Sequence, residues 1–171
     1  MADLFQNITD SKSMLEKLAG KIPGFGGYLE RETRRDADKM LRDTVANRYG
    51  EQLNRVSALQ TQLLIGTGIE FVDDLQTAAT KLQTFIDLVK TAAYGYSGLF
   101  DAVKINEAEL AKLYAFDVAL LENVAKVTAA VDNIEASVGG EGMPAAIRNL
   151  IAVVTECNTT FERRKEVLTS K

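Results

Sequence analysis

The sequence predicts an all-α protein: an antiparallel bundle of four long helices over residues 28–171, with an accessory amphipathic helix over residues 1–20. Three observations lead there. Between Asn106 and Val138 the residues Leu110, Leu113, Asp117, Leu120, Val124, Val127, Val131, Ile134 and Val138 follow one another at alternating steps of three and four. That spacing makes one coiled-coil-like seam on a helix roughly 50 Å long at about 1.5 Å per residue, and only helices of comparable length can cover it. Short glycine-rich breaks divide the rest of the chain into stretches long enough to serve. Alternation at period two never persists, so no strand is expected.

The totals narrow the function classes. A chain of 171 residues with 46% hydrophobic and 26% charged residues can bury a substantial core and is too apolar to be disordered. A net charge of −4 and a pI near 5.0 leave no excess of lysine and arginine to displace counterions from phosphates, so no nucleic-acid partner is expected. No run of about 18 uncharged apolar residues occurs, and nothing is expected to span a bilayer. Asp3 and Asp10 stand where a secretory signal would carry a basic segment and then an apolar block. A cytoplasmic location is the expectation, peripheral to the inner membrane if the first helix meets lipid.

From Ala2 to Ala19, Leu4, Ile8, Leu15 and Leu18 share one face, with Phe5 and Met14 at its margins, and Asp3, Gln6, Asp10, Ser13 and Lys17 fall opposite. Such a helix can lie in a membrane plane or pack on the rest of the protein. Asp3, Asp10 and Glu16 cancel Lys12, Lys17 and Lys21, which favours packing, because membrane-surface helices are basic. Gly20 to Gly27 then reads as a linker, in which Phe25, and Tyr28 just beyond it, are expected to dock. It is no phosphate cradle, since Tyr28 and Leu29 stand where a P-loop needs lysine and Ser or Thr.

From Tyr28 to about Leu64 the chain reads as a long helix. Its first half carries both signs, with Glu30 and Arg34, and Asp38 and Arg42, spaced four apart as on a solvated face. The alternative use of the run is an anion-binding or partner-docking strip made by Arg31, Arg34, Arg35 and Arg42. Tyr49, Leu53, Val56, Leu59 and Leu63 continue an apolar seam, with Gly50 a candidate bend. Gly66-Thr-Gly68 turns the chain into a helix with Ile69, Val72, Leu75, Ala79, Leu82, Phe85, Ile86 and Val89 on its apolar side and Asp73, Asp74 and Asp87 outside.

The segment from Tyr94 to Val103 breaks the helix with two glycines yet keeps Tyr94, Tyr96, Leu99 and Phe100. Either it folds over one end of the bundle or it is a contact surface. Asn106 and Glu109 make a capping-box-like start for the central helix, and Gly139-Gly-Glu-Gly142 ends it. Pro144 suits the first turn of a last helix whose inner face is Ile147, Leu150, Ile151, Val154, Cys157, Phe161 and Leu168. Arg163, Arg164 and Lys165 near its end complement the helix dipole.

The chain has no histidine, which removes the usual metal ligand, general base and pH switch together. Di-metal bundles pair glutamates with Glu-x-x-His, and nucleophilic triads need a base. Asp117 on its apolar seam reads more simply as a register-setting polar residue or a salt bridge to an arginine than as part of an all-carboxylate metal site. The single Cys157, among Val153, Val154 and Phe161, reads as a small buried hydrophobe. No enzyme and no cofactor is expected.

The stretches Lys21-Ile-Pro-Gly-Phe-Gly-Gly-Tyr-Leu-Glu-Arg-Glu-Thr-Arg-Arg-Asp-Ala-Asp38 and Tyr94-Gly-Tyr-Ser-Gly-Leu-Phe-Asp-Ala-Val-Lys104 resemble a family of bacterial all-helical proteins of uncharacterised activity. The resemblance covers most of Lys21 to Val138 and implies an association with membrane-stress proteins of the SPFH and phage-shock kinds. The opening Met-Ala-Asp-Leu-Phe5 is similar to the amphipathic start of phage shock protein A, but lacks its basic bias. The expected function is therefore a non-enzymatic helical scaffold that self-associates or binds a protein partner, with possible peripheral membrane contact. Leu4, Phe5 and Ile8, the arginine strip, and Tyr94, Tyr96, Leu99 and Phe100 are its candidate contacts. The alternative is a bundle that binds an apolar small ligand or a metal between its helices.

Overall fold

The seam of alternating threes and fours folds as one helix over Glu107–Ser137 in the computed structural model, which describes residues 11–28, 34–92 and 107–169. In chain order the helices are α1 (Ser11–Lys21), α2 (Arg34–Ile65), α3 (Val72–Thr91), α4 (Glu107–Ser137) and α5 (Met143–Thr169), with a 3-10 turn at Ile69–Phe71. Among the described residues there is no strand. Seven of the eight seam positions on α4 are buried; Val124 is half-buried, as is Val138, the ninth, just past the helix end.

Contacts across helices set their directions. Arg164 on α5 reaches Asp117 on α4 and Asp38 on α2. Further along, Tyr49 on α2 meets Leu120 on α4 and Cys157 on α5, and beyond that Arg55 pairs with Asp132 and Glu135. Residue numbers rise together on α2 and α4 and fall on α5, and Arg42 meets Val89 while Gln60 meets Gln76, so from α2 to α5 each helix is antiparallel to the next in sequence. Packing runs around a square, α2 on α3, α3 on α5, α5 on α4 and α4 on α2, with α1 laid on the outside of α4. The core is largely aliphatic, and at mid-length Phe85 lies between Tyr49 and Phe161 at ring separations of 4.6 and 6.2 Å.

The α2–α3 reversal depends on Gly68. Its φ of +116° lies where a side chain is strained, and a Cβ there would stand 2.9 Å from Leu63 Cδ2. The 3-10 turn that follows rotates Ile69 out of the apolar stripe expected of it, and Ile69 is exposed. Gly50 lies within the uninterrupted α2.

The described part of the accessory helix, α1, docks. Leu18 is fully buried, with Met14 and Leu15 packed beside the core, as the cancelled charges favoured. Leu4, Phe5 and Ile8 lie outside the described residues. No helix among the described residues is long and apolar enough to cross a membrane.

Candidate functional site

The chemistry of this chain is concentrated where the linker after α1 meets the starts of α2 and α4 and the ends of α3 and α5. Gly27, at φ +82°, brings the backbone so close to α4 that a Cβ would lie 2.5 Å from Tyr114 Oη and 2.8 Å from Leu15 Cδ1. This lets the Tyr28 N–H donate to Tyr114 Oη at 2.8 Å while the two rings stack at 5.3 Å. Phe25 closes edge-on at 5.5 Å from Tyr28. Both linker aromatics are buried, as expected. Gly27→Ala should cost about 1–2 kcal/mol for the left-handed backbone alone, with more from displacing Tyr114, and a urea titration followed by circular dichroism measures it.

Inside this linker lies a charge network. Tyr28 Oη donates to Asp117 Oδ2 at 2.7 Å, and Arg164 Nε donates to Asp117 Oδ1 at 2.5 Å. Arg164 Nη2 donates to Asp38 Oδ1 at 2.7 Å and lies 3.3 Å from Tyr28 Oη. Arg42 Nε donates to the other oxygen of Asp38 at 2.7 Å, and its Nη1 to the carbonyls of Val89 and Lys90 at 3.3 and 3.2 Å. Those carbonyls belong to the last turn of α3, where a helix leaves acceptors unpaired and its dipole favours a cation. Arg42 therefore caps α3 while it holds Asp38.

Two carboxylates and two guanidiniums balance in charge, and every carboxylate oxygen has a donor. The network is sealed: none of Asp38, Arg42, Asp117 and Arg164 is more than 5% exposed. Burial pushes the Asp117 carboxyl above its ordinary range, against the opposing pull of Arg164. Burial and the neighbouring Asp117 charge hold the Tyr28 hydroxyl well up, so it stays a donor. Burial works against the charge on Arg164, but Asp117 and Asp38 outweigh it and keep the guanidinium well above its usual value. The one loose group is Arg164 Nη1, buried and without a hydrogen-bond partner among the described residues. Chemically this is a lock that joins four helices and the linker, with every carboxylate oxygen engaged by a donor from within the fold.

A second polar contact lies deeper. Tyr49 Oη donates to the Leu120 carbonyl at 3.2 Å and lies 3.1 Å from Cys157 Sγ. Burial pushes the Cys157 thiol up to about 11. A raised thiol contributes stability below the ordinary thiol range and loses it as pH rises through the folded value. Unfolding free energy should therefore fall between pH 9 and 11, by about 2 kcal/mol relative to Cys157→Ala over the same interval. Thiol reagents at pH 8 should react only as fast as the chain opens.

The structure corrects part of the expected arginine strip. Arg42 is not on a solvated face but inside the lock, because α2 is rotated to put Asp38 and Arg42 toward α3 and α5. Arg35 is exposed, whereas Arg31 and the side chain of Arg34 lie outside the described residues, as do Tyr94, Tyr96, Leu99 and Phe100. Arg164 leaves its expected place among the dipole-complementing surface cations for the core, with Arg163 exposed beside it. Asp117 makes the salt bridge to an arginine that its seam position suggested.

Two surface features stand outside the lock. Leu64, Ile65 and Ile69, at 57%, 84% and 65% exposure, form an aliphatic tip at the α2–α3 turn. Below it a shallow groove between α2 and α3 is lined by uncharged side chains, among them Asn54, Ser57, Gln60, Gln76, Thr80 and Thr84. Among the described residues no group of three or more acidic or cysteine side chains could hold a metal ion. Comparison with protein-family models, with curated proteins and with solved structures returns no match for this chain.

Proposed function

We propose that this chain is a non-enzymatic helical interaction module that works by presenting one rigid face of its bundle to another protein surface. The observation that carries this reading is the aliphatic tip. Three large apolar side chains are exposed within six residues at a tight turn, in a bundle that exposes only one other, Met40, among its described residues. The lock supports the same reading, because its carboxylates and guanidiniums are spent on holding helices together. A rigid surface loses little freedom when it binds, and four helices tied at one end make such a surface.

On this reading the protein acts in the cytoplasm. Membrane contact would go through the amphipathic start at Leu4, Phe5 and Ile8, and the resemblance to bacterial stress-associated proteins supplies the setting. The test is the size of the protein in its own host. Tagged at native level and fractionated by size from a gentle extract, it should run in an assembly well above its own 18.7 kDa. Elution at the mass of a single chain would overturn the proposal.

A further inference from the structure

We infer that α1 and the linker behind it, Ser11 to Tyr28, form a strap that opens and recloses as one unit while the four-helix bundle stays folded. This goes beyond the interaction reading, which needs only the bundle. The bundle closes without the strap: α2, α3, α5 and α4 complete a square among themselves, and α1 packs chiefly on one of them, α4. Its apolar hold is short, with Leu18 and Ile22 buried and Met14 and Leu15 half-buried beside them. Its polar ties include Arg48 Nη2 donating to the Lys21 carbonyl at 2.7 Å, the Tyr28 N–H donating to Tyr114 and the Tyr28 hydroxyl donating to Asp117. Withdrawing Tyr28 leaves the ionic part of the lock in place, since Asp117 keeps Arg164 and Asp38 keeps both arginines.

Opening as one unit follows from length and backbone bonding. α1 has 11 residues, fewer than the about 12–15 that a helix needs to hold up alone in water, so away from α4 it melts as a whole. The linker is bonded to it, with the Ile22 N–H donating to the Leu18 carbonyl at 2.8 Å and the Phe25 N–H donating to the Ile22 carbonyl at 3.1 Å. Phe25 in turn rests edge-on against Tyr28. Opening lays bare Tyr114, which in the closed form stacks on Tyr28 and accepts its N–H, and it breaks the seal over Asp117 Oδ2. Two side chains that are fully buried when the strap is closed thereby become reachable on a bundle that is still folded.

The experiment is hydrogen exchange read by mass spectrometry on the purified full chain, with Tyr28→Phe and Phe85→Leu as single variants. In the parent, peptides from α1 and the linker should exchange at one common rate, at least about a hundredfold faster than peptides from the middle of α4 and α5. That rate should barely respond to urea below the unfolding transition, because opening exposes little surface. Tyr28→Phe should speed the strap at least about tenfold, since it removes a hydrogen bond to a buried carboxylate. Phe85 lies on α3, diagonal to α4 in the square, so Phe85→Leu weakens the bundle and not the strap's hold on it. It should speed the core peptides and leave the strap at the parent rate. A strap as protected as the core in the parent, or one that Phe85→Leu speeds as much as the core, opens only by global unfolding and overturns the inference. A strap rate that Tyr28→Phe does not change overturns it as well.

Discussion

Arg164→Ala is expected to cost about 3–5 kcal/mol of folding stability, the range for removing one partner from a buried ion network. The loss has two sources. Asp117 Oδ1 and Asp38 Oδ1 each lose their donor at full burial, and the vacated volume sits where α2, α4 and α5 converge. Domains of this size hold only about 5–15 kcal/mol in total, so the variant should be close to unfolding at physiological temperature. A urea titration with an unchanged slope reads the effect as stability alone. Replacing Asp117 by Leu together with Arg164 by Met should be less damaging than the sum of the two single changes, because the strongest unpaired charge never arises. A cost below about 1 kcal/mol for Arg164→Ala would mean that water reaches the site and the network is not a lock.

Phe85→Ala should cost about as much, roughly 3–5 kcal/mol, for a different reason. Phe85 is fully buried on α3 between Tyr49 of α2 and Phe161 of α5, so its ring joins three helices at one level. Truncation leaves a cavity that these aromatic neighbours, fixed by their own packing, cannot close. Phe85→Leu should recover more than half of the loss, since most of the volume returns. Differential scanning calorimetry of the parent and both variants checks the order, and a pattern in which Leu is no better than Ala would argue that ring contacts, not volume, carry the effect.

Both predictions rest on features with a trace in the sequence. On α2 the steps from Asp38 through Arg42, Val45, Tyr49, Gln52, Val56 and Leu59 to Leu63 alternate between four and three, and all eight are buried. On α5, Val154, Cys157, Phe161 and Arg164 do the same with three, four and three. Polar residues in seam positions on three helices carry the signal, and only on the long seam of α4, at Asp117, does it stand out from the sequence. Asp38 and Arg42 instead matched a surface pair four apart, because that spacing is the same whether the pair faces water or the core. Nothing local distinguishes the two. The exposed tip was obscured by the same ambiguity: Ile69 continues the periodic stripe of α3, and the tight turn that throws it outward is set by Gly68 against Leu63.

Helix content, helix order and the antiparallel bundle follow from the chain's own periodicity and its glycine breaks, since those depend on residues within a few turns of each other. The docking of α1, expected from its cancelled charges, is likewise a local property of one amphipathic stripe. Which charged residues go inside, which partner each one finds and which apolar residues stay out were decided only by tertiary structure. The physical reason is that a buried charge is tolerated only when opposite charges from distant segments converge on it. Here Asp117 meets Arg164 across 47 residues and Asp38 meets it across 126, separations over which no local pattern carries information.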